Sequence, residues 1–291
     1  MKNRPKQYAT AEAFRTALEK RLDDIAKQES INLQRLRRQV SFDRLLARLF
    51  SDENAPWLLK GGYAMELRLQ VARATKDIDL SVPADAAADI KQHILEELQN
   101  HAAVNLNDYF VFSVTQSSKD VSAAPEGGGR YPITASMADR TFTTFHVDIG
   151  IGDPVIEPTE KVTGRDWLGF AGIAPVTITA ISKEQQFAEK LYVYTIPRKG
   201  TENSRVKDLV DLALLSMEKL NPGKLKKAIQ ATFGKYSTHP IPYSLPAPPT
   251  SWNERYIILA NECGLKLHMK ESVKLVEASM KGYSARRGLS L

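Results

Sequence analysis

Three aspartates on two predicted strands are the residues best suited to chemistry. Asp77 and Asp79 lie two apart in "KDIDLSV", and Asp148 lies in "FHVDIG". Side chains two apart on a strand point to one face, so Asp77 and Asp79 are expected side by side while Ile78 and Leu80 enter the core. Neighbouring carboxylates repel unless a cation lies between them. If the two strands are adjacent, the three acids can hold two metal ions, the usual apparatus of phosphoryl transfer.

Other interpretations of these acids remain open. A D-x-D pattern alone also fits two solvated carboxylates at the edge of a sheet. His146 alternates with Asp148 and is predicted to face the same side, either toward the acids or as a half-buried histidine. The sequence has no G-x-x-x-x-G-K-[ST] loop and no G-x-S-x-G elbow, which excludes P-loop and α/β-hydrolase interpretations.

A glycine pair precedes the first two aspartates. Gly61 and Gly62 follow the apolar run "WLL" and begin a helical stretch, "YAMELRLQ". Glycines let a triphosphate approach the backbone, and the start of a helix at Tyr63 offers free N–H donors at the positive end of its dipole. The order glycine pair, helix, D-x-D strand and acidic strand is much more specific than any of these motifs alone.

Composition restricts the class of protein. The chain has 291 residues, 43% hydrophobic and 25% charged, as is ordinary for a globular protein. No apolar run approaches the roughly 20 residues of a membrane helix. A single cysteine, Cys263, excludes an internal disulfide and a cysteine metal cluster, which favours the cytoplasm. The net charge of +6 and pI near 9.2 are compatible with a nucleic-acid or polyphosphate partner.

The periodicity predicts an α+β chain: a short mixed sheet flanked by helices, then a helical domain, in a bilobed arrangement. The predicted divisions are 1–52, N-terminal helices packed on the core; 53–181, the core; and 182–291, the C-terminal helical domain. Arginines at 35, 37 and 38 form a cluster on the second helix that could meet phosphates or simply be a solvated face. The stretch "EGGGRY", residues 126–131, is predicted to be a loop.

The sequence resembles polymerase-β-type nucleotidyltransferases. The first motif, "KGGYAMELR…RATKDIDLSV", is most similar to the AbiEii/AbiGii toxin family of bacterial toxin–antitoxin and phage-defence systems. The second, "EKLYVYTIPRKGTENSRVKDLVDLALL", is similar to that family's lysine and aspartate signature. The resemblance extends over roughly residues 58–215. It implies a polymerase-β-type core and a Mg²⁺-dependent nucleotidyltransferase with two Mg²⁺ ions, or Mn²⁺ in their place.

The resemblance also implies roles for individual residues. Asp77, Asp79 and Asp148 match the metal-binding carboxylates, the third of which also activates the attacking hydroxyl. Lys190 matches the signature lysine, expected to neutralise the triphosphate, and Asp211 matches the signature aspartate.

Three further positions qualify these matches. Asp208 lies one turn before Asp211 and could be confused with it. Arg73, in the loop before the catalytic strand, is implied to contact the nucleotide. Tyr63 stands where many relatives have serine or threonine, so its hydroxyl is either lost or moved outward, and a base could stack on its ring.

The implied reaction transfers NMP from an NTP to RNA, and for characterised relatives the acceptor is the 3′ end of tRNA. Such a toxin blocks translation and growth and is paired with an antitoxin protein, typically a winged-helix regulator. Two alternatives are kept: nucleotidylation of a small molecule such as an antibiotic, or of a protein, and a degenerate module that binds nucleotide without chemistry.

Overall fold

The computed structural model describes residues 6–52, 54–69, 73–82, 93–116 and 127–284. The chain forms two compact units. The first comprises the chain up to Arg68 together with Thr75–Gly152 and Lys161–Ala180. The second comprises Leu69–Ala74, Asp153–Glu160 and the chain from Ile181 onward. The N-terminal helices therefore belong to the same unit as the sheet.

Two long helices begin the first unit. α1 spans Ala11–Glu29 and α2 spans Leu33–Leu49. Thr10 and Asn32 cap them by accepting hydrogen bonds from backbone N–H groups of the first turn, because those groups have no partner inside the helix. Phe14, Leu18 and Leu22 recur at helical spacing on α1 and are buried, and α2 packs on the sheet.

The sheet has seven strands in the order β3-β4-β5-β2-β1-β7-β6. β2 lies between β5, to which it is parallel, and β1, to which it is antiparallel. The bounds are β1 Leu58–Lys60, β2 Ile78–Val82, β3 Val111–Val114, β4 Gly128–Met137, β5 Arg140–Ile151, β6 Glu160–Thr163 and β7 Thr177–Ala180. Two shorter helices, α3 Gly61–Leu69 and α4 Ile94–Ala102, accompany it.

The predicted loop at 126–131 is wrong for its described part. β4 begins at Gly128 and pairs antiparallel with β5 over its whole length, from Gly128 opposite Gly150 to Met137 opposite Arg140. A Cβ on Gly128 would lie 2.0 Å from the carbonyl oxygen of Ile149. Gly128 therefore allows two strands to approach closely, whereas the sequence predicts a loop there.

Five helices form most of the second unit: α5 Lys183–Thr195, α6 Val206–Met217, α7 Pro222–Tyr236, α8 Asn253–Glu262 and α9 Met269–Ser284. Ser182 caps α5 by accepting a hydrogen bond from the N–H of Gln185. Pro222 occupies the first turn of α7, where its missing N–H costs nothing. Among the described residues, no helix is long and apolar enough to cross a membrane.

Candidate active site

The three predicted carboxylates lie together in the first unit. Asp79 on β2 is the direct Cα partner of Asp148 on β5, and Asp77 immediately precedes β2. The alternating residues Ile78 and Leu80 are fully buried, so the strand positions its acids on the opposite face. The side chains of Asp77 and Asp148 remain 31% and 25% exposed, which leaves them accessible to a ligand.

An arginine that the sequence analysis did not single out joins two of these acids. Arg130 on β4 is the Cα partner of Asp148. Its Nε lies 2.8 Å from Asp148 Oδ1, and one terminal nitrogen lies 3.1 Å from Asp148 Oδ2 and 2.8 Å from Asp77 Oδ2. The hydrogen bond and the charge of Asp148 raise the pKa of Arg130. The loop predicted at residues 126–131 gives Arg130 no role, whereas the alternation of polar and apolar residues from Arg130 to Met137 indicates a strand.

His146 also contacts the cluster. Its Nδ1 lies 3.3 Å from Asp77 Oδ1, and its ring is partly exposed. It therefore faces the acids, as its alternation with Asp148 on β5 predicted. Between them, Arg130 and His146 contact both oxygens of Asp77, and Arg130 alone contacts both oxygens of Asp148.

The glycine pair is packed against Asp79. β1 ends at Lys60 and α3 begins at Gly61, whose φ of +67° favours glycine. A Cβ on Gly61 would lie 1.8 Å from Asp79 Oδ2, and the Gly62 N–H lies 3.4 Å from the same oxygen. The positive end of α3 therefore faces Asp79. That this helix start also receives a phosphate stays a prediction.

The Tyr63 side chain is turned into the core, which agrees with a hydroxyl lost from the phosphate site and contradicts one moved outward or a ring on which a base stacks. Its ring is only 1% exposed and packs edge-on against Phe42, with ring centroids 4.9 Å apart. Its hydroxyl donates to Asp43 Oδ1 at 2.6 Å and lies 3.2 Å from the carbonyl oxygen of Gln39. The hydroxyl is directed inward to α2, where no base can stack on the ring. The backbone N–H of Tyr63 at the start of α3 stays a predicted phosphate ligand.

Asp43, the partner of Tyr63, is a buried acid inside α2. Burial raises its pKa to about 7, although hydrogen bonds from Tyr63 and Trp167 act in the opposite direction. The Trp167 Nε1–H donates to Asp43 Oδ2 at 2.8 Å, and a Cβ on Gly164 would lie 2.5 Å from that same oxygen. Asp43 therefore connects α2 to α3 and to the segment after β6. Its contacts are structural and do not include the three predicted catalytic acids.

The signature lysine and aspartate form a second charged cluster, in the second unit. Lys190 Nζ on α5 lies 3.0 Å from Asp208 Oδ1 and 2.9 Å from Asp211 Oδ2 on α6. Both aspartates face the lysine because they are three residues apart on one helix. Asp208 and Asp211 thus share one cation, and geometry alone does not rank one above the other.

Arg73 belongs to this second cluster. Its Nε and one terminal nitrogen lie 3.1 and 3.0 Å from the two carboxylate oxygens of Asp211, and its side chain is 13% exposed. The Arg73 guanidinium therefore contacts a buried carboxylate, and its implied contact with a nucleotide stays a prediction. A bidentate contact of this kind fixes the orientation of Asp211.

The charges in the second cluster stabilise one another. Burial alone would raise the pKa of Asp211, but Lys190 and Arg73 outweigh burial and lower it. Burial alone would lower the pKa of Lys190, but Asp211 and Asp208 outweigh it and raise that pKa. Lysine and aspartate are therefore both charged at neutral pH.

The three acids of the first unit have the donor chemistry of a site for a hard divalent cation, since all three offer carboxylate oxygens. Their arrangement is not yet that of a ligand set. Within the described ranges, no group of three or more His, Cys, Asp or Glu side chains is arranged to hold a metal ion. The guanidinium of Arg130 contacts both Asp77 and Asp148, in the place where a metal ion shared by these two acids would bind.

Two of the three clustered arginines of α2 are ion-paired within the first unit. Arg35 contacts Glu66 Oε1 at 2.5 Å, and Arg37 contacts Glu19 Oε2 at 2.8 Å. Arg38 is partly buried. For Arg35 and Arg37, an ion pair replaces the solvated face that the sequence allowed.

Comparison with known proteins decides the family. The sequence profile described as "Nucleotidyl transferase AbiEii toxin, Type IV TA system" matches residues 44–269, which include every predicted site residue. The chain belongs to the AbiEii toxin family. This AbiEii-family protein is accordingly a nucleotidyltransferase toxin of a type IV toxin–antitoxin system, with a nucleotide substrate and an antitoxin partner.

Solved structures agree on the fold. MenT4, a nucleotidyltransferase toxin from Mycobacterium tuberculosis H37Rv, superposes with a TM-score of 0.57 at 16% identity, over 91% of this chain and 98% of that one. The predicted α+β fold is thereby confirmed, and it is consistent with the predicted polymerase-β-type core. JHP933 from Helicobacter pylori matches at a TM-score of 0.44 and 12% identity, over 87% of this chain and 93% of that one, a likeness too slight to carry an argument. No curated protein matches the sequence.

Proposed function

We propose that this AbiEii-family toxin transfers NMP from an NTP to RNA, at the 3′ end of tRNA, and so blocks translation and growth. The observation that carries the proposal is the cluster of Asp77, Asp79 and Asp148 beside the start of α3. Three carboxylates next to a helix N-terminus suit a reaction in which a polyphosphate and its cations must be held together. A tRNA acceptor assigns the reaction to the cytoplasm.

Each acid has a proposed role. Asp77, Asp79 and Asp148 would hold two Mg²⁺ ions, or Mn²⁺, which supply positive charge to the phosphates of the NTP. Asp148 takes the proton of the attacking hydroxyl. That oxygen then bonds to the α-phosphorus in line with the bond to the β-phosphate, which breaks, so that pyrophosphate leaves. The N–H groups of Gly61–Tyr63 orient the phosphates.

The second cluster is assigned by the family resemblance. Lys190 neutralises charge on the triphosphate, and its ammonium is kept protonated by Asp208 and Asp211. In this proposal Arg73 is a positioning residue, because it contacts Asp211 and holds that carboxylate toward the lysine. A substitution at Arg73 should therefore act through Asp211 and Lys190.

Support for an RNA acceptor comes from charge. The net charge of +6 favours association with a polyanion. Arg35 and Arg37 of α2 are paired internally, whereas Lys270, Lys274 and Lys281 are exposed on α9. Spacings of four and seven residues place them on one face of that helix, a row suited to RNA phosphates. The antitoxin partner is proposed to be a winged-helix regulator, on the resemblance alone.

The test is transfer of label from each of the four NTPs to total tRNA by the purified protein with Mg²⁺. Asp79→Asn and Asp148→Asn remove a carboxylate with little change in shape, and we expect transfer to fall by at least about 10³-fold, as for other groups that act as a unit. Asp24→Asn makes the same change at an exposed site on α1 and should transfer label normally.

The outcomes separate the candidate functions. Label on tRNA that requires Asp79 supports the proposal. Label on an aminoglycoside or on a protein, with none on RNA, contradicts the RNA acceptor and supports the small-molecule or protein alternative. Nucleotide binding without transfer to any acceptor supports the degenerate binding module instead.

A further inference from the structure

Arg130 occupies the position from which a cation would contact two of the predicted metal ligands. Its guanidinium makes three contacts of 3.1 Å or less with Asp148 and Asp77. The contact with Asp148 is bidentate and uses both of its oxygens. Bidentate arginine–carboxylate contacts are among the stronger hydrogen bonds in proteins, because both partners are charged and their geometries match.

The charge balance explains why a cation is needed there. Asp79 and Asp148 are Cα partners on adjacent strands, and Asp77 precedes the same strand. Three carboxylates so close together repel, and one cation among them relieves part of the repulsion. Arg130 supplies one positive charge from within the chain, and its own pKa is raised by Asp148.

The contacts of Arg130 and those of a metal ion compete for the same oxygens. Arg130 covers both oxygens of Asp148 and one oxygen of Asp77, and the remaining Asp77 oxygen lies near His146. A metal ion shared by Asp77 and Asp148 needs at least one oxygen from each. Arg130 is 37% exposed, so its long side chain has solvent into which it can withdraw.

We propose that Arg130 is a built-in competitor of the metal ion, and that the ion binds only as the guanidinium releases Asp148 or Asp77. This rests on the proposed function, since it concerns the same three carboxylates. The competition keeps the metal affinity of the nucleotide-free toxin low and protects the acids from mutual repulsion. In this proposal, Arg130 controls when the metal ion binds. The opposite possibility is that Arg130 is a positioning residue, which holds the carboxylates in place for the ion.

The two assignments predict opposite changes in metal affinity. If Arg130 competes, Arg130→Gln removes the rival cation, and Mn²⁺ should bind at least about tenfold more tightly, a change of about 1.4 kcal/mol. If Arg130 holds the acids in place, the same variant should bind Mn²⁺ more weakly. The measurement is a titration of the full-length nucleotide-free protein with Mn²⁺, followed by electron paramagnetic resonance of the free ion.

Two variants make the titration specific. Arg165→Gln removes an arginine that is ion-paired with Glu29 in the same unit, so it controls for the loss of one positive charge and one ion pair. It should leave the Mn²⁺ affinity within about twofold of wild type. Asp148→Asn combined with Arg130→Gln should abolish the tightening, because the released carboxylate is absent.

Folding is monitored in the same samples. With EDTA, Arg130→Gln should unfold at a lower temperature than wild type, and Mn²⁺ should raise its Tm by more than it raises that of wild type. If Arg130→Gln does not fold, Arg130→Lys keeps the charge but loses the bidentate contact, and it should bind Mn²⁺ a few-fold more tightly than wild type.

Unchanged or weaker Mn²⁺ binding by the folded Arg130 variants overturns the competition, and so does failure of every variant to bind Mn²⁺. These results are separate from the proposed function. Wild-type protein that labels tRNA while Arg130→Gln binds Mn²⁺ no more tightly refutes only the competition. Tighter binding by the variant, with no transfer by wild type to any acceptor, refutes only the proposed reaction.

Discussion

Tyr63→Phe should destabilise the toxin more at alkaline than at acidic pH. The Tyr63 hydroxyl donates to Asp43 at 2.6 Å inside the core, and burial raises the pKa of Asp43 to about 7. The folded protein thus holds a proton that the unfolded chain releases near pH 4. Asp43 therefore lowers the free energy of unfolding as pH rises from about 4 to about 7, and its contribution is constant above that.

The magnitude follows from the charge of the acceptor. At pH 5 Asp43 is neutral, and losing a hydrogen bond to a neutral group costs about 1 kcal/mol. At pH 8.5 Asp43 is ionised, and losing a hydrogen bond to a charged group costs about 1.5–3 kcal/mol. The Tyr63 hydrogen bond lowers the pKa of Asp43, so its removal raises that pKa further. The loss of stability should therefore be greater at pH 8.5 by about 0.5–2 kcal/mol.

The assay is urea unfolding of wild type and variant at both pH values, compared as differences so that other titrating groups cancel. Tyr194→Phe is the matched control, because the buried Tyr194 hydroxyl donates to the uncharged carbonyl oxygen of Pro246 at 3.0 Å. It should cost about 1 kcal/mol at both pH values. A Tyr63→Phe loss near zero, or one equal at pH 5 and 8.5, would refute the inward contact with Asp43.

Three further substitutions test other parts of the structure. Gly61→Ala should abolish transfer of label from NTP to tRNA, because the new methyl group would lie 1.8 Å from Asp79 Oδ2. Gly234→Ala is the control and should leave the transfer rate unchanged, because a Cβ there would meet no atom within 4 Å. Asp108→Asn should lower the free energy of unfolding in urea by about 3–5 kcal/mol, because it leaves two buried arginines without their carboxylate. Lys190→Met should lower it by a similar amount at pH 8 and by less at pH 4, where Asp208 and Asp211, left without the lysine, can take up protons; equal losses at both pH values would contradict the ion-pair cluster.

Much of the fold follows from local pattern. The helices at Ala11–Glu29 and Lys183–Thr195 are where capping residues and apolar spacing predict them, since caps and periodicity act within a few residues of chain. β4 was missed because its glycines are explained only by the distance between two strands, and that distance depends on residues 20 positions away.

Part of the candidate site also follows from local pattern, and part depends on tertiary contacts. Alternation along β2 and β5 was enough to expect Asp77, Asp79 and Asp148 on one face, and the pairing of β2 with β5 brings them together. The partners of Arg73 and Tyr63 could not be predicted, because Arg73 meets a residue 138 positions later and Tyr63 meets one on an earlier helix. Position in a motif did not indicate which way either side chain would turn.

By itself, the amino-acid sequence determined the elements and the kind of chemistry: the caps, the alternation and the order of glycines and acids depend on neighbours along the chain. Tertiary structure alone decided which charges meet. Arg130 reaches Asp77 and Asp148, and Lys190 reaches Asp208, because strand register and helix packing bring distant residues within 3.1 Å. Electrostatic contacts act over those few ångströms, whatever the separation in sequence.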